Sequence, residues 1–267
     1  MTVPEQALYA YDLERTRQNR ERLRRNENLL YWYRRLYCQV FAGGLEGKRV
    51  LEIGSGTSPL KLFYPGVETS DVLRLEYLDH VFDCQEIDAY GRIPDHSLDV
   101  ITLTNVLHHL KDPLGFLLKA AAKLKPSGEL VLVEPYFSLV SYPVYKLLHP
   151  EPVDFSVERP GLAAVEGPLS TSNQAVPYML LFSRRDWLAG LADHYDIGGI
   201  RVDYFSSLSY MATGGISRVF PVPGFLYRAL FGFDNVLARI APRLFASFFI
   251  AVLRSKTGVP RAGQAGK

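Results

Sequence analysis

Residues 50–57 read Val50-Leu51-Glu52-Ile53-Gly54-Ser55-Gly56-Thr57, a short apolar strand that ends in an acid and then a glycine turn. Glycines at 54 and 56 remove the Cβ atoms that would keep a ligand off the backbone, and they permit the positive φ that such a turn often needs. Outward from this stretch, short apolar runs alternate with helical ones, the pattern of βαβ units around a parallel sheet. Strands are predicted over 50–53, 67–71, 81–83, 98–104 and 129–133. The linker between the first two is brief, so the first crossover helix must be short or irregular. A helix over 113–124 follows the fourth strand, with Pro113 in the first turn, where its missing N–H costs nothing. Pro126-Ser127-Gly128 then turns the chain into 129–133, which is too short, too β-branched and too tightly bounded by Gly128 and Pro135 for a helix. A helix over 183–192, with Ser183 as its N-cap, leads to two closing strands over 197–204 and 245–253.

The remaining features bound the class of protein. The chain has 267 residues, 48% hydrophobic and 22% charged, enough for one domain with a large core. A formal net charge of +2 gives no field that would draw nucleic acid, and none is expected as a partner. Cys38 and Cys84 are too few for a disulfide framework or a cysteine zinc site, which fits a reducing, cytoplasmic setting. The polar N-terminus lacks the apolar core of a secretory signal. The most apolar run, 244–253, is far short of the roughly 20 residues that span a bilayer.

Residues 4–41 read as one or two amphipathic helices, an N-terminal helical cap (1–41) ahead of the main domain (42–257). Arginines at 15, 17, 20, 22, 24 and 25 alternate with Glu14, Glu21 and Glu27, so a solvated face is preferred over an RNA or phospholipid contact. An insertion over about 136–182 is expected to cover the substrate with short helices. Its Tyr136, Phe137, Tyr142, Tyr145 and Tyr178 suit either an apolar pocket or ordinary packing. A second insertion, about 206–243, contains an apolar stretch over 219–243 with Arg228, Arg239 and Arg243. That stretch fits a peripheral membrane contact, a lid over a lipid-like substrate, or a buried cap or dimer contact. The tail, 258–267, has the composition of a disordered segment.

The glycine turn favours one ligand class. A dinucleotide site wants a third glycine at position 59, where Pro59 stands. A carboxylate two residues before Gly54 would repel phosphate and attract a cationic amino group. S-adenosylmethionine has that amino group and no phosphates. Asp71, at the end of the second strand, can accept hydrogen bonds from both ribose hydroxyls, with Glu76 as a rival. Asp83 and the Cys84 backbone follow where an adenine edge could be read.

With Pro94-Asp95-His96-Ser97-Leu98-Asp99-Val100 leading into the fourth strand and Thr104-Asn105-Val106-Leu107-His108-His109-Leu110 leaving it, the chain resembles the class I S-adenosylmethionine-dependent methyltransferases. The likeness is to the type 11 group, related to quinone-biosynthesis methyltransferases. It covers residues 49–135 in order: LEIGSG, Asp71, FDCQEI, PDHSLDVITLTNVLHHLKDP and LKPSGELVLVEP. It implies an α/β, Rossmann-like open, mostly parallel seven-stranded sheet with helices on both faces and an antiparallel last strand, plus the N-terminal helices and two insertions. It also implies that Glu52, Gly54, Ser55 and Gly56 surround the methionine part of the cofactor, Asp71 the ribose, and Asp83 with Cys84 the adenine. Asn105 would close the site beside the sulfonium, and S-adenosylhomocysteine would be the product. Ser58-Pro59 departs from the usual small or glycine continuation.

Methyl transfer from a sulfonium depends on positioning and sometimes on removal of a proton from the acceptor. His108 and His109 are the nearest titratable candidates, with His149, Glu134 and Tyr136 behind them. Two histidines without a third ligand do not make a metal site. The expected activity is methyl transfer to a small, apolar or lipid-like molecule. A cofactor-binding module without turnover and an NAD-dependent oxidoreductase are the alternatives.

Overall fold

In a computed structural model, residues 3–167 and 169–256 are described, and the tail expected over 258–267 lies outside them. Two helices lead, α1 (Val3–Arg25) and α2 (Glu27–Val40). Asn26 separates them and caps α2, its Oδ1 accepting the Leu29 N–H at 3.1 Å. Leu29, Trp32, Tyr33, Leu36 and Tyr37 recur at helical spacing and are all buried.

Seven strands form one sheet: β1 (Val50–Ile53), β2 (Glu68–Asp71), β3 (His80–Val81), β4 (Leu98–Thr104), β5 (Leu124–Pro135), β6 (Arg201–Phe205) and β7 (Phe248–Arg254). Their spatial order is β3-β2-β1-β4-β5-β7-β6. The first five pair in parallel, whereas β7 runs antiparallel between β5 and β6. This is the Rossmann-like sheet with an antiparallel last strand.

Side-chain alternation divides the core between the two faces. Leu51, Ile53, Ile101, Leu103, Leu130, Leu132, Phe249 and Ala251 point to one face, under Phe116, Leu117 and Ala120 of α4 (Pro113–Lys123). Val50, Val100, Val131, Val133, Phe248 and Ile250 point to the other, under Trp32 and Leu36 of α2. The crossover from β1 to β2 contains only α3 (Leu60–Phe63), as short as the linker requires.

The first insertion folds into α5 (Ser141–Leu147), an irregular stretch, α6 (Ala175–Tyr178) and a π-type turn over Met179–Ser183. α7 (Arg185–Ala189) is shorter than the helix expected over 183–192, and Ser183 is not its cap, because that residue closes the preceding π-type turn. The second insertion supplies α8 (Leu208–Thr213), α9 (Gly224–Ile240) and α10 (Pro242–Phe245). Asp234 of α9 is wholly buried and caps α8 from outside, accepting the Ser207, Leu208 and Ser209 N–H groups at 2.8–3.1 Å.

Several strand limits move from their sequence-based positions. β3 ends before Asp83, whose Oδ1 instead accepts the Gln85 N–H at 2.9 Å and caps a 3-10 turn. β5 starts at Leu124, because a register shift between Leu98 and Val100 lets the 126–128 turn stay within the ladder. β6 starts only at Arg201, after a turn in which Asp196 accepts the Gly199 N–H, and α10 occupies the residues before β7. No helix among the described residues is long and apolar enough to cross a membrane.

Candidate active site

The C-terminal ends of β1, β2, β4 and β5 open into a cavity of about 720 Å³, bordered there by Ile53, Asp71, Thr104 and Pro135. Open α/β sheets bind ligands at this edge. Gly54, Gly56, Asp71, Asp83, Cys84, Asn105, His108 and His109 all line it. Glu52 and Ser55 are buried beneath its floor.

Backbone geometry explains both glycines. Gly54 has φ +75°, and a Cβ there would lie 2.3 Å from Val106 Cγ2. At Gly56 a Cβ would meet Thr16 Cγ2 at 2.8 Å and Asp71 Oδ2 at 3.0 Å. The Gly56 N–H donates to Asp71 Oδ2 at 2.9 Å, and the Leu73 N–H to Oδ1 at 2.9 Å. The Asp71 carboxylate is therefore fixed in place, and burial raises its pKa. Glu76, the rival, points away and pairs with Arg17.

Glu52 accepts hydrogen bonds from the hydroxyls of Ser55, at 2.7 Å, and of Ser58. Burial pushes its pKa up to about 7, against the pull of those two hydroxyls and of Arg20. The Glu52 side chain thus holds the turn from below.

The α1 arginines do more than present a solvated face. Arg20 donates to the Ser58 carbonyl at 3.0 Å and lies 3.8 Å over the Tyr77 ring, while Tyr77 Oη donates to the Gly56 carbonyl at 2.5 Å. The same helix reaches the first insertion through Asp12, fully buried, which accepts the Leu169 N–H at 3.0 Å. Arg20 and Asp12 carried no motif, and only their places on one long helix bring them here.

A second group of polar side chains stands beyond Asn105. Glu134, fully buried at the end of β5, accepts the Val106 and Leu107 N–H groups at 2.9 and 2.7 Å through Oε1. Its Oε2 lies 2.5 Å from His108 Nδ1, and His108 Nε2 lies 3.2 Å from Glu151 Oε2. Burial by itself would depress His108, but the two carboxylates win and hold it at about 10. His109 goes the other way: burial, reinforced by His108, lowers it to about 4. Glu151 stays well below the usual carboxylate range, because His108 outweighs its burial.

Glu151 is the third group that sequence spacing does not place beside the two histidines. The insertion folds back to deliver it, tied down by the Asn173 N–H donating to the His108 carbonyl at 2.9 Å and by the Gln174 side chain donating to Glu151 at 2.9 Å. His149 joins the same wall. Of the five aromatics proposed for an apolar pocket, only Tyr145 lines the cavity. Tyr136, Phe137, Tyr142 and Tyr178 pack among themselves and with Phe155 and Phe182, so close aromatic packing accounts for them. Tyr33, Tyr37, Tyr210 and Phe248 supply the apolar lining instead.

The loop after β1 is ill-suited to a pyrophosphate. Pro59 stands at the N-cap of α3 and has no N–H to offer, and the four-residue α3 has almost no dipole.

Several methyltransferases are similar to this chain. The family described as Methyltransferase domain matches residues 24–143. A ubiquinone biosynthesis O-methyltransferase of Vibrio cholerae is 30% identical over 107 residues, covering 34% of this chain and 44% of that relative. The chain thus spans less than half the length of the curated relatives it matches. A SAM-dependent methyltransferase from Archaeoglobus fulgidus superposes over 86% of this chain and 95% of its own, at 20% identity and a TM-score of 0.47. A phosphoethanolamine N-methyltransferase from Haemonchus contortus, solved with S-adenosyl-L-methionine, does so over 84% and 52%, at 13% identity and a TM-score of 0.40. Residues 24–143, which include β1 to β5, are thus similar to a methyltransferase domain.

Proposed function

We propose that this protein transfers the methyl group of S-adenosylmethionine to a hydroxyl of a small, largely apolar acceptor. The observation that carries the reading is a single cavity shared by two groups of residues: the turn and carboxylates suited to the cofactor, and a wall of His108, His109, His149 and Glu151. Gly54 and Gly56 would let the methionine part lie on the backbone, with Glu52 drawing its ammonium group from beneath. Asp71 would take the ribose hydroxyls, and Asp83 with the Cys84 backbone the adenine. Asn105, in the left-handed region at φ +55° and with its buried Oδ1 lacking a donor, would stand beside the sulfonium.

The acceptor's chemistry follows from the wall. An amine attacks with a lone pair it already has, whereas a hydroxyl must lose its proton as the new bond forms. Oxygen would bond to the methyl carbon, the S–C electron pair would stay on sulfur, and the proton would pass to the wall. His108 is already protonated near neutral pH and holds Glu151 well below the carboxylate range, so the receiving groups are the neutral imidazoles of His109 and His149. The O-methyltransferase named among the relatives is consistent with this, and the aromatic lining with an apolar acceptor.

Two unpaired cysteines support a cytoplasmic setting. α9 buries Tyr227, Phe231 and Ala238 but exposes Phe225, Phe233, Val236 and Ile240, with Arg228 and Arg239 on the same helix. That exposed face would suit a peripheral membrane contact, which vesicle flotation tests.

Calorimetry with S-adenosylhomocysteine, followed by a screen of phenolic and aliphatic hydroxyl acceptors for its release from S-adenosylmethionine, tests the activity. Heat and turnover are expected. Heat without turnover on any acceptor would reduce the protein to a cofactor-binding module, and no heat from well-folded protein would end the reading.

A further inference from the structure

His108 and His109 each have one ring nitrogen already engaged. Nδ1 of His108 lies 2.5 Å from Glu134 Oε2, and Nδ1 of His109 lies 3.1 Å from the Thr171 carbonyl oxygen. Both partners can only accept, so each Nδ1 carries a proton; the second proton of His108, on Nε2 towards Glu151, would be released when an ion binds there. A carboxylate behind one imidazole and a backbone carbonyl behind the other are the outer contacts that orient metal-ligating histidines and leave Nε2 to the ion.

The two Nε2 atoms converge on one carboxylate. His108 Nε2 is 3.2 Å from Glu151 Oε2, and His109 Nε2 is 3.7 Å from Oε1. A ligand atom from each of the three residues lies within 4.8 Å of the others. Bonds of about 2.0–2.1 Å to a tetrahedral zinc place ligand atoms about 3.3 Å apart, so these side chains need only small adjustments. As arranged, the His109 Nε2 lone pair faces an anionic oxygen, and a cation between them would turn that repulsion into attraction.

Gln174 gives a second, independent indication. It is 2% exposed and borders the same cavity, and it donates through Nε2 to Glu151 Oε2 at 2.9 Å and to His149 Nδ1 at 2.8 Å. Its Oε1 is buried without a donor. An ion's water or a hydroxyl ligand beside Glu151 would be such a donor.

We propose that His108, His109 and Glu151 bind one divalent transition-metal ion, best matched by zinc, with an open position facing the cavity. Two histidines and one glutamate are a donor set of catalytic zinc sites, which keep one position free for water or substrate. The ion's use, unlike its binding, rests on the methyl-transfer reading: it would take the acceptor's oxygen and make that O–H more acidic, and with His109 and Glu151 engaged as ligands the proton would pass to His149.

The test uses the untagged full chain, stripped with a chelator and titrated with Co²⁺ as a coloured substitute for zinc. One equivalent should bind with visible d–d absorption and be displaced by Zn²⁺. His109→Gln and Glu151→Gln should each weaken Zn²⁺ binding at least about 100-fold, and Glu134→Gln, which changes only the outer contact, about 10- to 100-fold. Circular dichroism and S-adenosylhomocysteine calorimetry on the same samples would verify that each variant is folded. Failure of the unaltered chain to take up one equivalent overturns the site, as does equal uptake by folded ligand variants. Cofactor heat without metal uptake would remove the metal and spare the methyl-transfer reading, whereas metal uptake without cofactor heat would do the reverse.

Discussion

The two halves of the cavity are built differently. The residues proposed for the cofactor sit at the ends of β1 and β2 and on the short loops after β1, β3 and β4, each held by neighbours close in the chain or by the adjacent strand. The side proposed for the acceptor is assembled from β5, the turn after β4 and a loop of the first insertion, joined through Glu134, His108 and Glu151. A ligand common to a large class can be bound by strand ends whose spacing the sheet fixes. A particular acceptor needs side chains gathered from afar, and these carry the buried charge.

Four substitutions would break or sharpen that contrast. Glu134→Gln keeps an acceptor for the Val106 and Leu107 N–H groups but removes the charge beside a buried imidazolium. Leaving such a charge under-compensated costs about 3–5 kcal/mol, so the largest fall in melting temperature should come from the acceptor side. A fall no larger than that of a surface substitution would show that His108 simply sheds its proton.

Glu52 comes next. Its folded pKa of about 7 lies above the ordinary 4.5, so the folded state keeps a proton that the unfolded state releases. Its contribution to stability is intact below about pH 4.5, declines as the pH rises, and is lost above about pH 7, with a total of about 3 kcal/mol. Melts of the unaltered chain and Glu52→Gln from pH 4.5 to 8 should diverge across that window. Parallel curves would mean that Glu52 is ionised when buried.

Asp71→Ala should weaken S-adenosylmethionine binding by about 1–3 kcal/mol, through loss of hydrogen bonds to a charged acceptor. Calorimetry measures it, and unchanged affinity in a folded variant would take Asp71 out of the site. The smallest effect belongs to neither half: Asn26→Ala removes the cap of α2 and should cost about 1 kcal/mol by denaturant titration, with cofactor affinity unchanged.

Legibility in the sequence follows the same division. That the β1 turn, Asp71 and Asn105 border one cavity could be anticipated because strand ends and glycine turns leave local signals, and the curtailed first crossover was visible as a short linker. Ser183 misled, because a cap-competent residue before an apolar run says nothing of a π-type turn that absorbs it. Tyr136 and its neighbours left two readings open, because aromatic composition is the same whether rings line a cavity or pack on each other. Glu151 gave no signal, since its loop has no period and only its fold-back brings it to His108.

By itself, then, the sequence determined the alternation of strands with helices and the glycine turn, because apolar periodicity and backbone sterics act over a few residues. Only the tertiary structure decided that β7 enters between β5 and β6, that Arg20 of α1 grips the turn, and that two histidines meet Glu151. Those outcomes depend on contacts between segments far apart in the chain, where burial and charge pairing select one arrangement that no local pattern encodes.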